Sequence, residues 1–231
     1  MADRIIVLDT ETTGIDRRKH RLIEVAGVEI IRRKRTGNHF HSYVNPQRDI
    51  DPGAIAVHGI TLEFLKDKPL EKDIIDDFIE FITDADLVIH NAPFDTGFLN
   101  DALIRNNKGS LTDYCSSIID TLTIARSLYP GKKNSLDALG ERYNIDNTER
   151  SKKHGALIDA ELLAQVYLIM TRGQENLNLN SISINNCRDE KDQNREQILI
   201  STSDQDNHKH KEYLKKMKQK NNICIWLDLE I

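Results

Sequence analysis

Cysteine is scarce in this sequence. Cys115, Cys187 and Cys224 are the only three; they lie far apart, and their odd number supports neither a disulfide framework nor a Cys-x-x-Cys zinc site. A reducing cytoplasm is the expectation. Long apolar runs are missing too. The densest stretch, Ile5-Ile6-Val7-Leu8, is strand-sized, far short of the roughly 18 residues that a membrane span needs. The opening Met1-Ala2-Asp3-Arg4 has no apolar signal region behind it, so no export is implied. A basic excess is absent as well: 32 Lys and Arg against 37 Asp and Glu leave a formal net charge of −5. That argues against a chain that grips duplex nucleic acid by itself. It does not exclude a nucleic-acid enzyme, because carboxylates that hold divalent cations invert the local field and attract phosphate.

What is present is soluble-protein composition, 39% hydrophobic and 30% charged, in a length that suits one ordinary domain plus an appendage. The two parts differ in kind. Residues 1–173 alternate apolar strand-like runs with amphipathic helical ones. From Gln174 to Asn222, 14 of 49 residues are Asn or Gln and apolar residues are sparse. Such a segment buries too little surface to offset its ordering entropy, so residues 174–212 are expected to be a polar flexible tether. Residues 213–231 end in a small apolar cluster, Ile223-Cys224-Ile225-Trp226-Leu227, with the single tryptophan.

In the first part, Arg4 to Glu11 reads as a central strand buried on both faces. Strands from Leu22 to Ile31 and His39 to Asn45 follow in an antiparallel meander. Ile74, Ile75, Phe78, Ile79 and Ile82 make one stripe of a helix over Leu70–Thr83. Leu87-Val88-Ile89-His90 reads as a short buried strand. Pro93 then opens a helix running to about Asn106, with Asn91 as its cap. Thr121–Leu128, Ser135–Tyr143 and Ala156–Met170 read as further helices. The order implies an α/β sheet with helices packed on it.

Three acidic motifs stand out. In Asp9-Thr10-Glu11 the two acids project from one face of a strand while Thr10 faces away. They fall near a strand end, where open α/β sheets place their sites, and two adjacent like charges there call for a cation or a proton between them. In Asn91-Ala92-Pro93-Phe94-Asp95 the acid falls in a first helical turn, a place that the helix dipole alone would favour. In His154-Gly155-Ala156-Leu157-Ile158-Asp159, five helical residues would leave the end side chains roughly 140° apart. His154 therefore belongs on the lead-in loop, hinged by Gly155, with Asp159 on the helix. Each motif alone has an ordinary reading as solvated or structural residues. Together, four acids and a histidine suit metal-dependent phosphodiester hydrolysis, in which two divalent cations about 3.5–4 Å apart clamp the attacking and leaving oxygens. Hard carboxylate oxygens favour Mg²⁺ or Mn²⁺, and a histidine near neutral pKa suits deprotonating the attacking water.

This series resembles the DEDD family of 3′→5′ exonucleases, in the subgroup with histidine in its third motif. Val57-His58-Gly59-Ile60, Leu87-Val88-Ile89-His90-Asn91, Pro130-Gly131-Lys132, Asn134-Ser135-Leu136-Asp137-Ala138-Leu139 and His154-Gly155-Ala156-Leu157 further resemble the proofreading (epsilon) subunits of bacterial DNA polymerase III, over about residues 4–173 and more weakly beyond. The resemblance implies a ribonuclease-H-like fold: a mixed five-stranded sheet with helices on both faces, followed by a flexible C-terminal tail. It implies a 3′→5′ exodeoxyribonuclease that removes mismatched 3′-terminal nucleotides as nucleoside 5′-monophosphates. Asp9, Glu11, Asp95 and Asp159 match the acids that hold two Mg²⁺ or Mn²⁺, and His154 matches the general base. His58 matches a position that contacts the terminal nucleotide. Thr10, Asn91 and Phe94 are its neighbours, and Asp9, Glu11 and Asp159 complete the expected substrate contacts. Gly53 departs from the pattern, standing where some relatives carry an acid near the terminal sugar.

The expected partners are the 3′ end of single-stranded or frayed DNA and, through the C-terminal tail, the polymerase catalytic (alpha) subunit. Gln174-Glu175-Asn176-Leu177-Asn178-Leu179 resembles the short peptides that dock into sliding clamps, its Leu177 and Leu179 sharing one face when extended. The resemblance leaves open a small third core subunit. An RNA-trimming exonuclease of the same chemistry, and a non-catalytic module of the same fold, are the alternatives. His39 and His41 read as a solvated strand face, His208 and His210 as tether, and His90 as a structural histidine. Arg32-Arg33-Lys34-Arg35 reads as a solvated turn.

Overall fold

The computed structural model of the protein describes residues 3–146, 154–172 and 204–221. The chain divides into two compact units, Met1–Asn176 and Leu177–Ile231. The first holds five strands: β1 (Arg4–Thr12), β2 (Leu22–Ile31), β3 (Lys34–Tyr43), β4 (Asp86–Ile89) and β5 (Ser117–Asp120). Its helices are α1 (Pro52–His58), α2 (Leu62–Leu65), α3 (Glu71–Ile82), α4 (Ala92–Arg105), α5 (Thr121–Leu128), α6 (Leu136–Arg142) and α7 (Ala156–Met170). The sheet order is β3-β2-β1-β4-β5. β1–β2 and β2–β3 pair antiparallel, β1–β4 and β4–β5 parallel, so the expected mixed five-stranded sheet is what forms.

The period-2 alternation of β1 sorts the core. Ile5 and Val7 pack with Ala26, Val28 and Ile30 of β2 against Ala156, Ala160 and Leu163 of α7. Ile6 and Leu8 point the other way, to Ile75, Phe78 and Ile82 of α3 and Phe98 and Leu99 of α4. Ile6, Val7 and Leu8 are wholly buried, and each such side chain contributes roughly 1.5–3 kcal/mol. Helices thus cover both faces, and β1 at the centre points its C-terminal end at the site.

Several elements differ from the expectation. β3 begins at Lys34, five residues before His39, because it is an edge strand whose first six residues are exposed; its Lys34, Arg35 and Asn38 carry no apolar alternation to read. Arg32 and Arg33 form the two-residue turn before it, both at positive φ of 48° and 62°, the twist that tight hairpins demand. Arg33 is not merely solvated: it donates to Thr171 Oγ1 at 3.1 Å and to the Leu168 carbonyl at 2.7 Å, and Arg35 pairs with Glu161 at 3.1 Å. The run fastens β2–β3 to α7. His58 closes α1 rather than sitting in a loop. Asn91 does precede α4, but in the left-handed conformation (φ 65°, ψ 51°) and with no capping bond from its side chain.

In the second unit, Asp204–Asn221 is an 18-residue helix, α8, where a tether through residue 212 was expected. Acids in its first turn and lysines beyond them complement the helix dipole, and Asp204/His208 and Glu212/Lys216 are spaced i, i+4. Gln174–Leu179 and Ile223–Leu227 lie outside the described residues. No described helix is long and apolar enough to cross a membrane.

Candidate active site

β1 and β4 run parallel, and the side chains of interest gather beyond their carboxyl ends, as open α/β sheets arrange. Asp9 pairs with Ala26 and Glu11 with Glu24 across β2, with a bulge between Glu11 and Thr12 that ends the regular ladder. The same alternation that sends Ile5 and Val7 toward α7 sends Asp9 and Glu11 there. Asp159, in the first turn of α7, meets them: one carboxylate oxygen from each of the three lies within 4.8 Å of the others. Asp159 is buried, and Asp9 and Glu11 are half-buried.

His154 precedes α7 on an extended lead-in, and Gly155 occupies the N-cap position with φ −169° and ψ 140°. Its Nδ1 lies 3.4 Å from Asp159 Oδ2, with about a third of its side chain exposed. The expected division, histidine on the loop and acid on the helix, is the one that forms.

Asp95 is held apart from this group. It sits in the first turn of α4, on the face of β1 toward which the even-numbered residues point. Thr10 donates to its Oδ1 from both the backbone N–H, at 3.1 Å, and the hydroxyl, at 2.7 Å. Burial pushes the Asp95 carboxyl up to about 7, while the Thr10 bonds pull the other way. Of the five expected metal and catalytic residues, Asp9, Glu11 and Asp159 form one group with His154 beside Asp159, while Asp95 is bonded to Thr10, the residue between the two acids of β1.

Two clefts flank the acids. One, of about 450 Å³, is lined by Glu11, Ile15, Pro52, Val57, His58 and Phe94 among others, and is largely apolar. His58 is buried there, its Nδ1 accepting the Ile60 N–H at 2.9 Å, and Phe94 leans on Phe98 with ring centroids 5.1 Å apart. Gly53 also lines it, and a Cβ at that position would meet nothing within 4 Å. The other cleft, of about 670 Å³, joins Asp9 and Asp159 to His90, Arg126, Lys132, Asn134 and Ser135. Asn91 and Thr10 line neither. His90, which reads as structural, does bond Thr121 Oγ1 at 3.0 Å, yet it also borders the acids. Arg126, Lys132 and Asn134 escaped notice as site residues because Arg126 comes from the last turn of α5 and the other two from the loop that joins it to α6; the only signal was the Pro130-Gly131-Lys132 and Asn134-Ser135 text itself.

Three oxygens from three acids, converging beside a histidine, are a hard-donor set that fits a divalent cation such as Mg²⁺ or Mn²⁺. Comparison with known proteins agrees in kind. The model of the Exonuclease family (RNase T type) matches residues 6–167. The chain is 47% identical to the DNA polymerase III subunit epsilon of Buchnera aphidicola subsp. Baizongia pistaciae, over 98% of this chain and 97% of that one. It is 44% identical to the protein of the same name from Haemophilus influenzae, over 97% and 94%. Among solved structures, exonuclease X in complex with 5′-overhanging duplex DNA superposes with a TM-score of 0.58 at 28% identity, covering 74% of this chain and 92% of that one. Exonuclease I of E. coli with single-stranded DNA shares the fold, with a TM-score of 0.66 at 19% identity over 76% and 42%.

Proposed function

The chain belongs to the Exonuclease family and, within it, to the DNA polymerase III epsilon subunits, and from that membership we propose a 3′→5′ exodeoxyribonuclease that proofreads for a replicative polymerase. The observation that supports this reading most is the meeting of Asp9, Glu11 and Asp159 within 4.8 Å, with His154 beside Asp159. Asp9, Glu11 and Asp159 would hold one divalent cation, and Asp95 is the remaining carboxylate of the two-ion set that the family pattern implies. Bound Mg²⁺ or Mn²⁺ supplies Lewis-acid polarisation of the phosphoryl oxygens.

The protein's own residues do the rest. His154 takes a proton from the attacking water as its oxygen bonds to the terminal phosphorus. The bond from phosphorus to the 3′-oxygen of the preceding nucleotide breaks, that oxygen acquires a proton from solvent, and a nucleoside 5′-monophosphate leaves. Asp159 holds His154 by the contact to Nδ1 and keeps its imidazole turned toward the acids. The apolar cleft of His58 and Phe94 suits the terminal base and sugar, without reading sequence. A site that admits only frayed ends discriminates mismatches because they unpair at lower cost. Residues 213–231 are the segment we assign to the polymerase catalytic (alpha) subunit, and Gln174–Leu179 to the sliding clamp. A small third core subunit belongs to the same reading.

A 3′-labelled oligonucleotide assay tests it. Matched DNA and RNA strands are followed in single turnover with Mg²⁺, Mn²⁺ or EDTA. Loss of activity in EDTA and faster cleavage of DNA are expected; faster cleavage of RNA would make the chain an RNA-trimming enzyme instead.

A further inference from the structure

Another buried carboxylate lies beside the acids and takes no part in holding a cation or a proton in the reaction above. Glu24 stands directly opposite Glu11 in the β1–β2 register, with 2% of its side chain exposed. Like charges facing each other across two strands are destabilising, and a buried carboxylate without compensation is more so. Its compensation is specific. Oε1 lies 2.8 Å from His41 Nε2 on β3. Oε2 accepts the backbone N–H of Ala156 at 3.1 Å. Tyr43 is its cross-strand neighbour on β3, and burial followed by the Glu24 charge pushes that phenol up.

The Ala156 bond is the telling one. Ala156 is the first residue of α7, whose N-cap position is held by Gly155 without any side-chain bond. Glycine has no side chain to satisfy the N–H groups that a helix start leaves open. Glu24 supplies that acceptor from 132 residues away in sequence. A Cβ on Gly155 would come within 3.7 Å of the same carboxylate, so the lead-in runs directly over Glu24. One residue before Gly155 is His154, and three residues after Ala156 is Asp159.

We propose that Glu24 is a positioning residue: a fixed carboxylate, braced by His41, that caps α7 from the neighbouring strand and thereby sets where the His154 lead-in leaves the helix. The inference rests on the assignment of His154 as general base. It places Glu24 outside contact with substrate and gives it an effect on rate through His154 alone.

A double-mutant cycle in the full-length chain tests this, with a 3′-labelled single-stranded dT oligomer at saturating Mn²⁺. Glu24→Ala should lower kcat about 10- to 100-fold, the size of loss that a misplacement near 1 Å brings, while KM stays within about twofold. In a His154→Ala background the same change should lower kcat by less than about twofold, because coupled residues are non-additive. Glu24→Gln keeps an oxygen for the Ala156 N–H and should recover kcat to within about threefold of the wild type. It also keeps the test alive if Glu24→Ala does not fold. Equal losses in both backgrounds, or a Gln variant as slow as His154→Ala, would overturn the inference. A wild-type rate in Glu24→Ala would overturn it while leaving the hydrolase reading standing; a wild-type rate in His154→Ala would remove both.

Discussion

Thr10 gives Asp95 two hydrogen bonds on a single oxygen, one from its backbone and one from its hydroxyl. Thr10 lies between Asp9 and Glu11, so the bond pair fixes the backbone from which both acids project. It also ties α4 to β1 at the strand's end.

Removing the hydroxyl should therefore be felt in stability. Thr10→Val keeps shape and loses one donor to a buried carboxylate, a change that typically costs about 1–3 kcal/mol. Urea unfolding should give a loss of this size near pH 8, and a smaller one near pH 5, where Asp95 holds a proton. Equal losses at the two pH values would mean that Thr10 acts on something other than the charge of Asp95.

Asp95 itself predicts a pH slope. Its carboxyl is raised by burial from 3.8 to about 7, so between those values the folded chain holds a proton that the unfolded chain has released. The stability this contributes is fully present below the unfolded value and is lost as pH rises through about 7. In EDTA, Tm should fall between about pH 5 and about pH 8, and Asp95→Asn should flatten that part of the curve. A variant with an unchanged slope would put the titration elsewhere.

The geometry separates three acids from the fourth, and cation binding should do the same. Asp9→Asn, Glu11→Gln and Asp159→Asn should each weaken the first Mn²⁺ to bind by more than about 10-fold, since even outer partners of a metal site cost that much. Asp95→Asn should leave that ion within a few-fold of the wild type. Calorimetric titration distinguishes them, and an Asp95 variant as weak as the other three would place it in the same cage.

His154 should affect rate and not the ion. His154→Ala is expected to lower kcat by about 10²–10⁴, the usual contribution of a positioned base, with Mn²⁺ affinity near that of the wild type. A variant that lost Mn²⁺ and kept its rate at saturating metal would make His154 a ligand.

The tail gives a partner prediction. Residues 213–231 carry the single tryptophan in an apolar cluster, and buried aromatic anchors dominate interfaces. Deleting them should abolish co-purification with the polymerase catalytic subunit and spare cleavage of single-stranded DNA. A stable complex with the truncated chain would refute the assignment.

Much of the site was legible because two periods write it into the text. Asp9 and Glu11 two residues apart must share a face of β1, and His154 and Asp159 five apart cannot share a helix face, so a loop had to carry the histidine. β1, β2, α5 and α7 begin and end within a residue or so of where their apolar patterns put them. What escaped depended on neighbours. β5 offers only Ile118-Ile119 between polar ends, too short to distinguish from a turn. β3 opens on exposed polar residues because it is the sheet's edge. His41 reads as a solvated strand residue until Glu24 is seen beneath it at 2.8 Å. Asp95 could be seen to start a helix, but the side of β1 on which that helix packs is set by α3 and α4 together, and no local spacing encodes it.

β1 asks for one register and tolerates no other. Shifted by a single residue, every side chain on it would change faces: Ile5 and Val7 would leave the α7 contact, Thr10 would take the place of an acid, and a carboxylate would turn toward the hydroxyl's seat beside Asp95. The strand at the centre of the core is also the strand that carries Asp9 and Glu11, so a mispaired chain would lack the acid cluster as well as the packing. Active-site titration of a refolded sample would therefore count correctly paired molecules directly, and partial activity in such a sample would report a mixture of right and wrong copies rather than a population of impaired ones.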